Sequence, residues 1–211
     1  MTQGTDGRMR EGAVLNAEKL KRIEANREAI LASARREVES KGILGLRVAE
    51  VAEGAHTSIT QIYRFFTDRN GLLAQVLGDM YEEFHDRAVR LVVDALPGDG
   101  PLTVEMLAHA LPSPTDAYSH RMHEHRMQIM AASVTNPELK ARLTVVTESA
   151  IKKWEDVLAG FQARMAPGET FDPGFVVMFF GLQNPYLWEI MGTKAFTATE
   201  YRSFLVRHLT V

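Results

Sequence analysis

The run "VAEGAHTSITQIYRFF", Val51 to Phe66, gathers Ile59, Thr60, Gln61, Tyr63 and Arg64 into one short, polar-faced helical stretch. Such side chains read base edges. A glutamine carboxamide matches adenine N6/N7, an arginine fork matches guanine O6/N7, and an isoleucine or threonine methyl meets the methyl of thymine. Ser58 opens the stretch, where the free amides and dipole of a helix N-terminus favour a phosphate. Two other groupings promise less. In "HRMHEHRM", His120 and His123 share a helix face and Glu124 stands at i, i+4 from His120. His125 points elsewhere and the chain has no cysteine, so the segment reads as a solvated polar face rather than a metal site. Ser203 and His208 have neither a third group nor an oxyanion signature beside them, and no glycine-rich phosphate loop occurs. No enzymatic activity, cofactor or metal is therefore expected.

Helices must position these residues. Residues 1–14 are polar and aperiodic and are expected to form a disordered arm. From Leu15 to the breaker Lys41-Gly42, Ile23, Ile30, Leu31, Ala34 and Val38 mark one face of a helix whose other faces carry Lys19, Lys21, Arg22 and Arg27. A short helix follows over about Val48 to Gly54, and another starts at Ser58, where Ser58 and Gln61 have the S-x-x-Q spacing of a reciprocal capping box. A fourth, capped at Thr67 or Asp68, reaches about Leu96 on a stripe that includes Leu73, Val76, Leu77, Phe84 and Val92, and "PGDGP" stops it. Further helices are expected near 102–111, 114–134, 137–165, 173–191 and 198–209, with Asn136 capping the third of these ahead of Pro137. No stretch alternates with period two for long, so the fold class is all-α with about nine helices.

Composition narrows the class further. With 211 residues, 45% hydrophobic and 24% charged, the chain can bury a full-sized core. The start of the sequence has no apolar run of the signal-peptide kind. The most apolar segment, "FVVMFFGLQNPYLWEIM", is broken by Gln183, Asn184, Pro185 and Glu189, short of the roughly 18 to 20 apolar residues of a membrane span. A soluble, cytoplasmic protein without membrane contact is expected. The net charge of −3 is uneven: up to Gly71 there are 12 Lys+Arg against 10 Asp+Glu, and from Leu72 onward 12 against 17. That sign suits a front end that faces nucleic acid.

Two helices joined by a tight turn, the second short and polar, have helix-turn-helix geometry. The residues around the turn resemble the TetR family of bacterial transcriptional regulators: Val51-Ala52, Ala55-His56-Thr57-Ser58, three variable residues, Ile62-Tyr63, Phe66, Arg69 and Leu72-Leu73. The likeness runs from Arg27 to about Val76. Three positions depart from the family pattern. His56 stands where a glycine is usual and positive φ is expected, Arg47 replaces a threonine cap, and Arg69 replaces a lysine.

The resemblance implies a helix-turn-helix DNA-binding domain over 15–71 and a helical effector-binding and dimerisation domain over 72–211. Such a protein would be a ligand-responsive repressor, binding a near-palindromic double-stranded DNA operator as a homodimer and released by a small, apolar effector. The implied DNA-binding residues are Arg47, Ser58, Ile59, Thr60, Gln61, Tyr63, Arg64 and Arg69. An effector pocket would draw on the soft and aromatic residues of the back half: Phe84, Met106, Met122, His123, Met127, Trp154, Phe175, Met178, Phe179 and Tyr186. The dimer surface is expected at Phe175 to Trp188 and Tyr201 to Leu209. The competing expectation is a helical binding or adaptor protein without DNA affinity, in which the same residues are ordinary core and packing surface.

Overall fold

The computed structural model describes residues 3–113, 117–174, 176 and 197–209, and the side chains of 17–113, 124–174, 176 and 197–209. These residues form eight α-helices: α1 (Gln3–Lys41), α2 (Val48–Gly54), α3 (Ile59–Phe66), α4 (Arg69–Ala95), α5 (Val104–Ala110), α6 (Ala117–Ser133), α7 (Pro137–Gln162) and α8 (Ala198–Leu209). Among them there is no strand, only an isolated bridge between Leu102 and Met165. The fold is all-α, and the chain divides into two compact units, Met1–Leu77 and Gly78–Val211.

Three boundaries differ from expectation, each for a local reason. The arm expected over 1–14 is helical from Gln3, since no proline lies between it and Leu15 to force a stop. The helix expected over 102–111 starts later, because Leu102 is held in the bridge and Thr103 caps Met106 instead. The helix expected over 137–165 ends at Gln162 because Arg164 and Ala166 exchange backbone hydrogen bonds with Leu102, each at 2.8 Å. Most of the helix expected over 173–191 lies outside the described residues.

In the front unit the apolar face of α1, Ile30, Ala34 and Val38, is buried together with Val48, Val51 and Ala52 of α2, Ile62 and Phe66 of α3, and Leu72, Leu73, Val76 and Leu77 of α4. One ion pair, Lys41–Glu50, ties α2 to α1. Lys41 Nζ lies 2.9 Å from Glu37 and 2.6 Å from Glu50, and its ammonium holds the Glu50 carboxyl below the usual carboxylate range. Gly54 permits a close approach: a Cβ there would stand 2.4 Å from Ser33 Oγ, on the buried side of α1.

The core of the second unit is built from Val92 of α4, Leu96 just after it, Val104, Leu107 and Ala108 of α5, Leu158 and Phe161 of α7, and Tyr201, Leu205 and Leu209 of α8, among others. Arg202 donates to the last carbonyls of α5, Ala108 at 2.9 Å and His109 at 2.7 Å, and so closes α8 onto α5. In α8, Tyr201, Leu205 and Leu209 lie in this core, because their four-residue spacing sets them along one stripe of the helix.

The middle of α4 is polar. Asp79 and Glu82 receive Arg142 of α7 at 3.3 and 2.5 Å, and Asp86 receives Lys153 of α7 at 2.6 Å. Between them His85 packs edge-on to Tyr81 and Phe84. Burial, aided by the Arg126 guanidinium and opposed by Asp86, lowers the His85 pKa from 6.5 to about 4. The unfolded chain therefore binds a proton at this site before the folded one does. Stability is retained above about pH 6.5 and falls as the pH drops towards 4, by up to about 3 kcal/mol. Urea unfolding between these pH values should show that loss, and subtracting the same series for His85→Gln should remove most of it.

Candidate functional site

The α2–α3 turn is closed by three backbone hydrogen bonds: Ala55 N–H to Val51 O at 3.0 Å, His56 N–H to Glu53 O at 3.0 Å and Thr57 N–H to Ala52 O at 2.9 Å. His56 adopts φ 50°, the left-handed conformation expected at this position, which histidine tolerates better than β-branched residues do. Ser58 is extended and its Oγ accepts from Gln61 N–H at 3.1 Å, so it caps α3. At the other end Thr67 has φ 63°, and Asp68 Oδ1 accepts from Gly71 N–H at 2.9 Å to start α4.

Between these caps α3 has two faces. Ile62 and Phe66 point inward and are buried, and Phe66 receives the guanidinium of Arg27 at 5.7 Å from its ring centroid. Outward, Thr60 and Arg64 are exposed, with Ile59 42% and Tyr63 39% exposed.

The remaining DNA-binding candidates divide. Arg47 is exposed at the N-cap of α2 and makes no side-chain cap, as its replacement of a threonine predicts. Gln61 does not return the capping-box bond to Ser58 among the described contacts; its side chain instead lines an open cleft of about 490 Å³ with Lys19, Arg22, Ile23, Asn26, Thr57 and Ser58. The Arg69 guanidinium is part-buried and donates to Leu46 O at 3.3 Å and Ile43 O at 3.4 Å. The 3-10 turn Ile43–Gly45 leaves carbonyls unpaired on the side where α4 begins.

The cleft supplies residues that pattern reading passed over. Lys19, Arg22 and Asn26 of α1 stand beside the first turn of α3, so two cations lie near amides that have no intrahelical partner. Their signal was present as the basic residues off the apolar face of α1, but the distance along the chain hid the meeting with Ser58.

The effector-pocket candidates are dispersed. Phe84 is half-buried beneath Arg126, with the guanidinium 5.4 Å from its ring centroid. Met106 lines a separate open cleft of about 520 Å³ with Pro97, Thr103 and His109. Met127 is 39% exposed, and Trp154 packs against the core of the second unit. The side chains of Met122 and His123 and the whole of Phe175, Met178, Phe179 and Tyr186 lie outside the described residues. Among the described residues no cluster of three metal-ligating side chains occurs, and no helix is long and apolar enough to cross a membrane.

With this geometry in place, comparisons with known proteins are informative. Residues 30–76 match the family described as bacterial regulatory proteins, tetR family. A TetR-family transcriptional regulator from Rhodococcus sp. has a similar crystal structure, with 24% identity, 87% of this chain and 96% of that chain covered, and a TM-score of 0.57. A transcriptional regulator from Streptomyces coelicolor A3(2) superposes at TM-score 0.62 with 17% identity over 88% and 99% of the two chains. The multidrug binding protein EbrR, complexed with ethidium, gives TM-score 0.56 and 22% identity over 88% and 99%. At these identities the likeness is one of fold. No curated protein sequence matches the chain.

The two arginines at the ends of this module should separate experimentally. Arg64→Ala should cost about 1–3 kcal/mol of affinity at one base pair of a specific site and leave urea stability unchanged. Arg69→Ala should cost about 1 kcal/mol of folding stability, through lost hydrogen bonds to backbone carbonyls, and leave the salt slope of DNA binding unaltered. A salt slope flattened by Arg69→Ala at unchanged stability would return that residue to the phosphate-contacting set.

Proposed function

We propose that the chain, whose residues 30–76 match the bacterial regulatory proteins of the tetR family, is a ligand-responsive repressor of that family. It binds a near-palindromic operator as a homodimer, and a small molecule releases it. The observation that carries this reading is the two-sided α3: Ile62 and Phe66 anchor it, while Ile59, Thr60, Gln61, Tyr63 and Arg64 stand on its free side. An eight-residue helix spans about 12 Å and reads only a few base pairs, so a second copy is needed for a specific site. In this reading Ser58, Lys19 and Arg22 seat a phosphate at the first turn of α3, and Arg47 meets the backbone at α2.

Release by a ligand is supported by two things. EbrR, similar in fold, is a multidrug binding protein crystallised with ethidium. Within this chain, α4 supplies Leu72, Leu73, Val76 and Leu77 to the front core and Val92 to the second, so one helix has residues in both units. A ligand that binds one arrangement of α4 more tightly than another shifts DNA affinity by the difference, ordinarily about 1–3 kcal/mol. The domains assigned on this reading are 15–71 for DNA and 72–211 for effector and dimer, in a cytoplasmic protein.

A gel shift on DNA flanking the protein's own coding region, repeated over a salt series, tests this directly. Specific binding with a steep salt dependence and a dimer by sedimentation are expected. Lys19→Ala and Arg22→Ala should each flatten the salt slope by about one unit. Failure on every flanking fragment at low salt, or a folded monomer at micromolar concentration, would refute the reading.

A further inference from the structure

Arg126 of α6 is the buried cation of the second unit, with only 8% of its surface exposed. Its guanidinium lies over two rings of α4, 5.7 Å from the Tyr81 centroid and 5.4 Å from that of Phe84. Its Nε is fully enclosed and makes no hydrogen bond, and neither does the enclosed Nε2 of His85, which packs against both rings. Among the described residues no carboxylate pairs with Arg126. Of the acidic side chains of α4, Asp79 and Glu82 are held by Arg142, and Asp86 by Lys153.

An arginine cannot shed its proton, so burial leaves this charge in place. Two aromatic faces offset part of the desolvation of a guanidinium but supply no anion to its N–H groups. His85 has been driven to its neutral form and adds no competing positive charge. Tyr81, Phe84 and His85 thus surround one fixed cation; their rings are already engaged, and its counter-charge is lacking. That cation is complementary to an anionic head.

We propose that the effector of this protein is an organic anion, of the carboxylate or sulfonate kind, whose charged head pairs with Arg126. It rests on the reading of the second unit as effector-binding and replaces the purely apolar effector implied by family resemblance. A neutral molecule of the same shape leaves the guanidinium unpaired, so charge is the discriminating feature of the site.

The test uses two dyes of matched body, 1-anilinonaphthalene-8-sulfonate, which is anionic, and N-phenyl-1-naphthylamine, which is neutral. Titrated by fluorescence into the full-length protein, the anionic dye should bind at least roughly tenfold more tightly. Arg126→Met should lose that preference, weakening the anionic dye roughly tenfold with the neutral dye unchanged. Arg126→Lys should retain part of it, and the near-ultraviolet spectrum of each variant reports whether the fold is intact. If Arg126→Met unfolds, the Arg126→Lys comparison and competition of 2-naphthoate against 2-naphthol on the wild type decide the matter. Equal binding of the two dyes by the wild type, no binding of either, or indifference of the anionic dye to Arg126 would overturn the proposal. Gel shifts on the same preparations keep the two readings apart. DNA binding without anion preference removes this inference alone; Arg126-dependent anion binding without DNA binding removes the repressor reading instead.

Discussion

Between α2 and α3 the chain reverses through His56, a non-glycine residue at φ 50°, and the use of every outward side chain of α3 depends on that turn. A helix turns about 100° per residue, so a slip of one position would carry Thr60 or Arg64 well away from the free face. Three features prevent the slip. The turn's hydrogen bonds fix where α3 can begin, Ser58 fixes its first amide, and Ile62 and Phe66 fill the core only in one register. The left-handed residue costs about 1–2 kcal/mol relative to an ordinary conformation. The buried pair below it offsets that several times over, since each large apolar side chain contributes about 1.5–3 kcal/mol. A short helix of eight residues would not persist in water without this support.

Local signals were legible in the sequence and tertiary ones were not. Ser58, Thr103, Asn136 and the breaks at Gly42 and Pro97 announce themselves within a few residues, because a cap or a stop is decided by neighbours along the chain. α2 and α3 were therefore placed to within a residue. The partners of Arg69 are carbonyls of Ile43 and Leu46, far back in the chain, which its charge alone does not announce. Gln61 had the spacing of a capping box, but spacing does not say which of two uses a carboxamide takes. The start of α1 was missed for the opposite reason: polar, glycine-containing sequence lowers helix propensity without forbidding a helix.

The second unit was less readable because its candidate residues are chemically ambiguous. Methionine and aromatic side chains serve core, surface and pocket alike, and Phe84, Met106, Met127 and Trp154 have gone to different places. Arg126 escaped notice for a related reason, since an arginine in a polar helical segment reads as surface, and only the rings of Tyr81 and Phe84 reveal that it is enclosed. Buried polar groups are the features that pattern reading handles worst. Their partners lie on other helices and their burial contradicts their type.

The polarity of the middle of α4 has a further physical meaning. Along its first turns and its last, α4 buries leucine and valine, whose packing is favourable by well over a kilocalorie per mole each. From Asp79 to Asp86 it relies instead on part-exposed ion pairs and an enclosed guanidinium against rings, contacts whose net contribution is close to break-even after desolvation. A helix held firmly at both ends and weakly in its middle has alternative arrangements there that differ by little free energy. A ligand can redistribute such arrangements only by as much as its own differential affinity, about 1–3 kcal/mol in ordinary cases. That amount is too small to disturb the apolar-packed ends and large enough to decide between arrangements of the polar middle, and on the proposed reading an anion supplied to Arg126 would act on that stretch.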